Sequence, residues 1–380
     1  MARGVGPTGG RCTLPPMPIP LPEAPPFTLR ARLLSPLTDG SVLWLPDGVI
    51  AVDENGRITA VEAAETSARL AATDVLDVRP LIVMPGLVDC HVHLPQIPVA
   101  GLGAGMHLLD WLERHVFALE RAFDVAAAER LAPAAYRAMA AAGTTTFAGY
   151  SAVWADSTDA CFREAEAHGI RATIGAVMMD RVSYDEVTPP SKRLERSLRE
   201  SAELAQRWHG AAGGRLRYAF TPRFAVSCSD ELLRKSAALA STFGATWQTH
   251  VSEDEVEMAR VTELFPDATD YVDVYERAGG LGPRTLLAHA IHMSDREIAR
   301  VAATGTALAH CPVSNMFLSS GVMPLARLRE EAPRTEPAGP LVDIDVVDGI
   351  GEQLRDAGHL DLVLGDMSLP RGLEGRRQGG

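Results

Sequence analysis

The alternation of apolar and polar residues changes character near residue 80, which predicts two kinds of structure in one chain. Before that point, short apolar runs at 41–45, 48–52 and 57–61 are separated by Asp-Gly and Asn-Gly pairs. Such pairs favour tight two-residue turns between strands. This part of the chain is therefore predicted to form a small antiparallel sheet.

After residue 80, apolar runs rich in β-forming residues alternate with amphipathic stretches of helical period. Counting the run that leads into His91 there are seven runs, and the other six lie at 144–148, 171–177, 216–220, 245–250, 285–289 and 306–310. The helix candidates between them include 125–142, 230–241 and 294–303. Ser294 and Glu297 form a capping box that marks the start of the last one. This alternation predicts parallel strands with helical crossovers, with seven units where a closed (β/α) barrel has eight.

The pattern weakens at both ends of the chain. Residues 1–26 are rich in proline and glycine and lack the apolar core of a secretory signal, which predicts a disordered lead. After residue 330 only two apolar fragments remain, at 341–347 and 360–364, and they form either an irregular eighth unit or a tail that packs poorly.

The fold class that follows is α/β. A TIM-type (β/α) barrel, incomplete or irregular at strand eight, is predicted for residues 81–330. A partial N-terminal β-sandwich domain is predicted for 27–80, and an atypical tail for 331–380.

Composition argues against several kinds of partner. Of the 380 residues, 46% are hydrophobic and 22% charged, and 36 basic against 49 acidic residues give a net charge of −13. This charge argues against nucleic acid or an anionic membrane surface, and no apolar run approaches the roughly 20 residues that a membrane helix needs. The five cysteines form no Cys-x-x-Cys pair, so neither a disulfide framework nor a cysteine zinc site is expected. The predicted compartment is the reducing cytoplasm.

Histidines stand at the ends of several predicted strands. His91 and His93 are two positions apart after an apolar run, so on a strand both imidazoles project to the same side. His250, His289 and His310 each end a later strand. Because the carboxyl ends of barrel strands meet at one mouth, these side chains are predicted to converge on a metal centre. Zinc suits histidine ligands, and it lowers the pKa of a bound water to roughly 7.

Glu253 is the candidate proton carrier. It follows His250 by three residues, where it could take a proton from the attacking water and return it to the substrate. The alternative is an acid in the first turn of a helix, favoured by the helix dipole, a role that Asp254 and Glu255 would serve equally well.

Five segments carry a resemblance to a known family. Residues 85–96 (PGLVDCHVHLPQ), 221–224 (TPRF), 249–253 (THVSE), 288–289 (AH) and 310–315 (HCPVSN) resemble the amidohydrolase superfamily. The His-x-His pair and the later Thr-His mark the superfamily only. The Pro-Gln, Pro-Arg-Phe and His-Cys-Pro-x-Ser-Asn segments are more specific and are similar to guanine deaminases. The resemblance runs from about residue 40 to about residue 328.

The resemblance implies a metal site and a proton carrier. His91, His93 and His250 would hold one zinc ion per chain, and His289 would lie beside it, touching water or substrate. Glu253 would move the proton.

The resemblance also implies a purine-binding surface. Gln96 would hydrogen-bond the purine edge, and Arg223 with Phe224 would bind and stack the ring. A flat base rich in hydrogen-bonding groups needs such planar donors and an aromatic wall. His310 and Cys311 are expected to support the site rather than to bind the ion.

One residue of the family pattern has no good match here. The pattern calls for an Asp in a Gly-Thr-Asp setting about thirty residues after His310, where it completes the metal shell. Asp343 or Asp345 is nearest by spacing, and Asp366 is nearest by local character. The loss of pattern after Leu328 is what a truncated or frameshifted gene product would show, and it puts the activity of the chain in question.

The activity implied is hydrolytic deamination of guanine to xanthine and ammonia, with a small purine as the partner. Two alternatives stay open. One is a related hydrolase that acts on another heterocycle, such as a pterin, a triazine or another purine. The other is a non-catalytic remnant. A homodimer is implied by the resemblance alone.

Overall fold

The computed structural model describes residues 24–37, 41–71 and 74–331. In these ranges a four-stranded N-terminal sheet precedes a parallel sheet of seven strands in one path, with a short eighth strand paired beside them, which confirms the predicted fold class. The expectations for most of the lead and for the tail, including Asp343, Asp345 and Asp366, fall on residues outside the described ranges.

The N-terminal sheet is mixed rather than wholly antiparallel. Its strands, in the order β3-β2-β1-β4, are β1 (Phe27–Pro36), β2 (Val42–Val52), β3 (Ile58–Ala63) and β4 (Val75–Val83). Strand β1 pairs antiparallel with β2, and β2 with β3, but β1 and β4 run parallel. The antiparallel prediction is therefore wrong for β4, because a long connection rather than a tight turn brings that strand back to the sheet.

Only one of the two turn signals in this sheet forms a turn. The Asp-Gly pair that ends at Gly48 lies inside β2 instead. A side chain at Gly48 would place its Cβ 2.6 Å from Leu33 Cδ1, so the glycine there permits close packing on the neighbouring strand. The Asn-Gly pair that ends at Gly56 does turn, with Gly56 at φ +75° and the Asn55 N–H donating to Asp53 Oδ1.

The apolar run that leads into His91 belongs to two sheets. Its first residues complete β4, which extends to Val83, beyond the predicted domain boundary at residue 80. The first barrel strand, β5, then spans Leu87–His93. Gly86 lies between them, and a Cβ there would lie 2.0 Å from Thr145 Oγ1, so the chain passes too close to its neighbour for any side chain.

The barrel contains the seven predicted strand units, all parallel. After β5 its strands are β6 (Thr144–Tyr150), β7 (Arg171–Gly175), β8 (Val177–Met178), β9 (Leu216–Pro222), β10 (Thr246–Val251), β11 (Thr285–His289) and β12 (Ala307–Ala309). The order is β12-β11-β10-β9-β7-β6-β5, with the two-residue β8 pairing with β9. Small side chains fill the interior: Ala148, Ala288 and Ala309 pack together, with Cys90 of β5 against them. Strands from the two ends of the sheet therefore meet inside a nearly closed barrel.

Helices alternate with the strands of the parallel sheet along the chain. They are α1 (Leu108–Trp111), α2 (Phe117–Arg121), α3 (Val125–Ala141), α4 (Ala155–His168), α5 (Pro190–Trp208), α6 (Asp230–Phe243), α7 (Glu255–Leu264), α8 (Tyr271–Arg277), α9 (Asp295–Thr304), α10 (Pro312–Phe317) and α11 (Leu325–Glu331). The predicted capping box of Ser294 and Glu297 is confirmed at the start of α9. Among the described residues, no helix combines the length and the apolar character needed to cross a lipid bilayer.

Candidate metal centre and active site

Four histidines converge at one rim of the barrel. His91 and His93 lie on β5, His250 on β10 and His289 at the end of β11. The ring of His91 is 5.1 Å from that of His93, 4.7 Å from that of His250 and 5.0 Å from that of His289, measured between centroids. Strand alternation explains the first pair, and the parallel register of β10 and β11, which places Val251 opposite His289, brings the others alongside.

The donor atoms of three of these residues fit a divalent ion. Three ring nitrogens lie within 4.8 Å of one another, one each from His91, His93 and His250. The Nε2 atoms of His93 and His250 are 3.0 Å apart, close to the roughly 3.3 Å expected for two nitrogens that share a tetrahedral ion at about 2.0 Å. Burial lowers the pKa of all three well below the usual value, and Arg223 adds to the effect. They are therefore neutral imidazoles, the form that binds a metal.

The orientation of His250 is fixed by the chain itself. Its Nδ1–H donates to the backbone carbonyl oxygen of Arg223 at 2.5 Å, which leaves the Nε2 lone pair pointing toward His93. Such a hydrogen bond sets the tautomer of a ligating histidine and holds its ring in place. The next residue after β10, Ser252, has a left-handed φ of +48°, which turns the chain so that Glu253 comes back over the site.

Glu253 and His289 form a buried pair beside the three candidate ligands. Glu253 Oε2 is 3.2 Å from His289 Nε2, and His289 Nδ1 is 2.7 Å from Asn315 Oδ1. Burial, reinforced by Asp254, raises the pKa of Glu253 to about 8. Within the described ranges, Glu253 Oε1 is buried without a hydrogen-bond partner. A carboxyl group with this pKa and an unpaired oxygen can both accept and return a proton near neutral pH.

The alternative role of Glu253, as the acid at a helix start, is filled by other residues. Asp254 caps α7 by accepting from the backbone N–H groups of Val256 and Glu257. Glu257 completes the capping box, and its Oε2 accepts from the Glu253 N–H at 3.2 Å. Glu253 is therefore not needed to cap the helix.

The two predicted substrate-binding residues with polar side chains share one partner, Glu120, which sequence reasoning missed. Gln96 Nε2 donates to Glu120 Oε1 at 3.0 Å, and Arg223 Nη1 donates to Oε1 and Oε2 at 2.8 and 2.6 Å. Glu120 has no exposed surface, and Arg223 is 2% exposed. The only available signal was an acid after the apolar residues 116–119, and nothing in the sequence ties that acid to Arg223, 103 residues later.

Phe224 and Cys311 lie near the four histidines, and the sequence did not specify which of them each one contacts. Phe224 is 3% exposed and packs in the main core, with its ring edge-on to His250 at 6.5 Å. Cys311 offers a sulfur that groups with His91 and His289, so the rim contains a second set of three potential ligand atoms. His310 is only partly buried and belongs to neither set among the described residues.

The stability of the metal-free protein should depend on pH through Glu257. Burial raises its pKa to about 7, Glu253 adds to the effect, and the hydrogen bond from Tyr271 opposes it. The folded state thus binds this proton more tightly than the unfolded chain does. The resulting stabilisation is complete below the unfolded pKa of about 4.5 and is lost as the pH rises through about 7.

The measurement is urea unfolding of the metal-free protein between pH 5 and 8. The unfolding free energy of the wild type should fall by about 2 to 3 kcal/mol more than that of Glu257→Gln over this range. The amide keeps an acceptor for the Glu253 N–H and a donor toward Tyr271, so the variant should fold. Equal slopes of unfolding free energy against pH in the two proteins would contradict the assignment.

Comparison with known proteins identifies the family of the chain. The model of the amidohydrolase family matches residues 82–332. A probable guanine deaminase of Deinococcus radiodurans is 41% identical over 289 residues, covering 74% of this chain and 64% of its own, and a guanine deaminase of Escherichia coli is 37% identical, covering 67% and 57%. The crystal structure of guanine deaminase from C. acetobutylicum with bound guanine superimposes with a TM-score of 0.75 at 29% identity, covering 80% of this chain and 71% of that one.

The match is partial in length. The chain spans 64% and 57% of the two curated relatives. The matched segment nevertheless includes β5 through α11, and with them every residue of the rim described above. The chain belongs to the amidohydrolase family and, within it, resembles the guanine deaminases.

Proposed function

We propose that this protein catalyses the hydrolytic deamination of guanine to xanthine and ammonia. The observation that carries the proposal is the meeting of three neutral histidines with a buried carboxyl group, Glu253, whose Oε1 has no partner among the described residues. The guanine deaminases among its relatives support the choice of substrate.

The histidines would hold the metal. His91, His93 and His250 supply three nitrogens, the number that catalytic zinc sites use while keeping one position open. When bound, zinc would make hydroxide available at neutral pH by lowering the pKa of water to about 7. We propose one ion per chain.

Glu253 and His289 would carry the protons. Hydrolysis adds the oxygen of water to the ring carbon that bears the amino group, and the C–N bond then breaks to release ammonia. Glu253 would take one proton from water and give it to the ring nitrogen, then take the second from the hydroxyl group formed on the ring carbon and give it to the departing amine. His289, held by Asn315 at 2.7 Å and 3.2 Å from Glu253, would keep the water and the carboxylate in line.

Gln96, Arg223 and Phe224 would bind the purine. Gln96 and Arg223 are tied together through Glu120 on the side of His93, whose Nδ1 is 3.8 Å from Glu120 Oε1. A ring bound there would have its polar edge against these two planar side chains and its reacting carbon toward the histidines. Phe224 would give an aromatic edge to the same space.

The test is ammonia release from guanine by the purified, zinc-loaded chain, with metal stoichiometry measured on the same sample. We expect ammonia and xanthine in equal amounts and a zinc content near one per chain. Pterin, triazine and other purines serve as a comparison panel. Faster release from one of these would replace guanine as the substrate, and no release from any of them by zinc-loaded protein would contradict the proposal.

We propose two further properties. A cytoplasmic location is supported by the cysteines, since Cys90, Cys161, Cys228 and Cys311 are all free. The homodimer rests on the resemblance alone, and sedimentation of the purified chain would test it.

A further inference from the structure

Glu120 is a fully buried carboxylate that the proposed chemistry does not use. It lies on the five-residue helix α2 and has no exposed surface. Its oxygens accept hydrogen bonds from Gln96 and from Arg223. Two segments that are far apart in the sequence thus meet at one carboxylate.

Stability is a poor explanation for this arrangement. Removing a carboxylate and a guanidinium from water costs several kcal/mol, and their attraction only offsets that cost when the geometry is good. An apolar pair of similar volume would fill the space as well. The carboxylate, unlike an apolar group, fixes the orientation of its neighbours, because each of its oxygens accepts a hydrogen bond from a defined donor.

The first consequence concerns the amide of Gln96. The two ends of an amide side chain differ in chemistry, and a carboxylate that already accepts from a guanidinium offers only lone pairs to a neighbour. The amide must therefore turn its NH₂ group to Glu120, as the 3.0 Å contact shows. This fixes the carbonyl oxygen of Gln96 on its other side, and the half-buried side chain presents it as an acceptor.

The second consequence concerns the guanidinium of Arg223. Glu120 engages Nη1 through both oxygens, and the ring of Phe117 lies 5.7 Å from the guanidinium carbon. These contacts hold the plane of the group. Its other N–H groups point in fixed directions and can donate to a ligand.

We propose that Glu120 is a positioning residue that selects which purine edge the site accepts. A fixed acceptor on Gln96 beside fixed donors on Arg223 matches an edge with an N–H next to a carbonyl, as in guanine. With the ring placed as guanine is, the same pair opposes the edge of adenine, because an amino group then takes the place of the carbonyl and an unprotonated ring nitrogen takes the place of the N–H. The inference rests on the proposed function, since it deepens the recognition of the same substrate.

Glu120→Gln tests the proposal, because an amide at this position can donate as well as accept and so releases the orientation of Gln96. Kinetics are measured on the zinc-loaded chain with guanine. Binding of guanine and of adenine is measured by equilibrium dialysis on zinc-loaded Glu253→Gln, with and without Glu120→Gln. We expect KM and Kd for guanine to rise on the order of 10- to 100-fold, kcat to fall less, and the preference for guanine over adenine to shrink.

A double-mutant cycle separates positioning from general damage. If Glu120 acts through Gln96, adding Gln96→Ala to Glu120→Gln should weaken guanine binding by much less than Gln96→Ala does alone. Glu297→Gln is the matched control, since Glu297 is also a buried carboxylate but caps α9. It should change neither KM nor the preference for guanine.

The outcomes are distinguishable. Unchanged binding and an unchanged preference in Glu120→Gln would overturn the proposal. If that variant does not fold, Glu120→Asp, which keeps the charge and withdraws it by one methylene group, takes its place, and failure of both to fold would assign Glu120 to stability and also overturn it. Guanine binding by Glu253→Gln together with no ammonia release by the zinc-loaded wild type would contradict deamination but leave the binding comparison readable. No guanine binding by Glu253→Gln would overturn both proposals.

Discussion

Replacing Glu253 by glutamine should remove most of the turnover and leave the metal in place. The amide has nearly the same shape as the carboxylate but cannot accept a proton from water or return one to the substrate. Loss of a positioned proton carrier costs typically 10²- to 10⁴-fold in rate. We therefore expect kcat for ammonia release to fall by about that factor, with zinc content and KM close to those of the wild type.

The control for this prediction lies two residues further on. Glu255→Gln removes an acid from the same turn, but Glu255 is exposed and starts α7, whereas Glu253 is 2% exposed and faces His289. Only the Glu253 variant should lose activity. Ammonia release by Glu253→Gln at a rate near that of the wild type would show that another group carries the proton.

The sequence predicted the parts of the site that depend on local regularity. An apolar run followed by His-x-His places two imidazoles on one side of a strand, and parallel strands that end in His250 and His289 must bring those residues to the same rim. Convergence of the histidines followed from these two rules. The pattern also located the seven strand units. The hydrophobic periodicity of an element and the turn-forming residues that bound it lie within a few residues of that element.

The parts that it missed depend on contacts between distant segments. Glu120 is one acid among many in the sequence, and its importance arises only because the fold brings Gln96 and Arg223 to it. The Asp-Gly pair at Gly48 predicts a turn because the need for close packing against Leu33 is visible only across strands. A residue that serves a neighbour elsewhere in the chain has no local signature, so single-sequence reasoning finds ligands on strand ends but not the groups that orient them.

Replacing His250 by alanine should empty the metal site. It removes one of three nitrogens that lie within 4.8 Å of one another, and the Nε2 atom removed is 3.0 Å from that of His93. We expect zinc per chain to fall from about one to near zero after dialysis, together with the loss of ammonia release. Zinc should raise the unfolding free energy of the wild type by about 4 kcal/mol at a free concentration 1,000 times its Kd, and should leave that of the variant almost unchanged.

A cysteine variant decides which set of ligands the ion uses. His91 belongs to both candidate sets, so its loss cannot separate them, whereas Cys311 groups only with His91 and His289. If the ion lies between His91, His93 and His250, Cys311→Ser keeps its zinc while His250→Ala loses it. Both ring nitrogens of His289 already have a partner, Glu253 or Asn315, so an ion bound there would break one of these contacts, which favours this outcome. Zinc retained by His250→Ala and lost by Cys311→Ser would move the metal to the other set and remove the basis for the proposed chemistry.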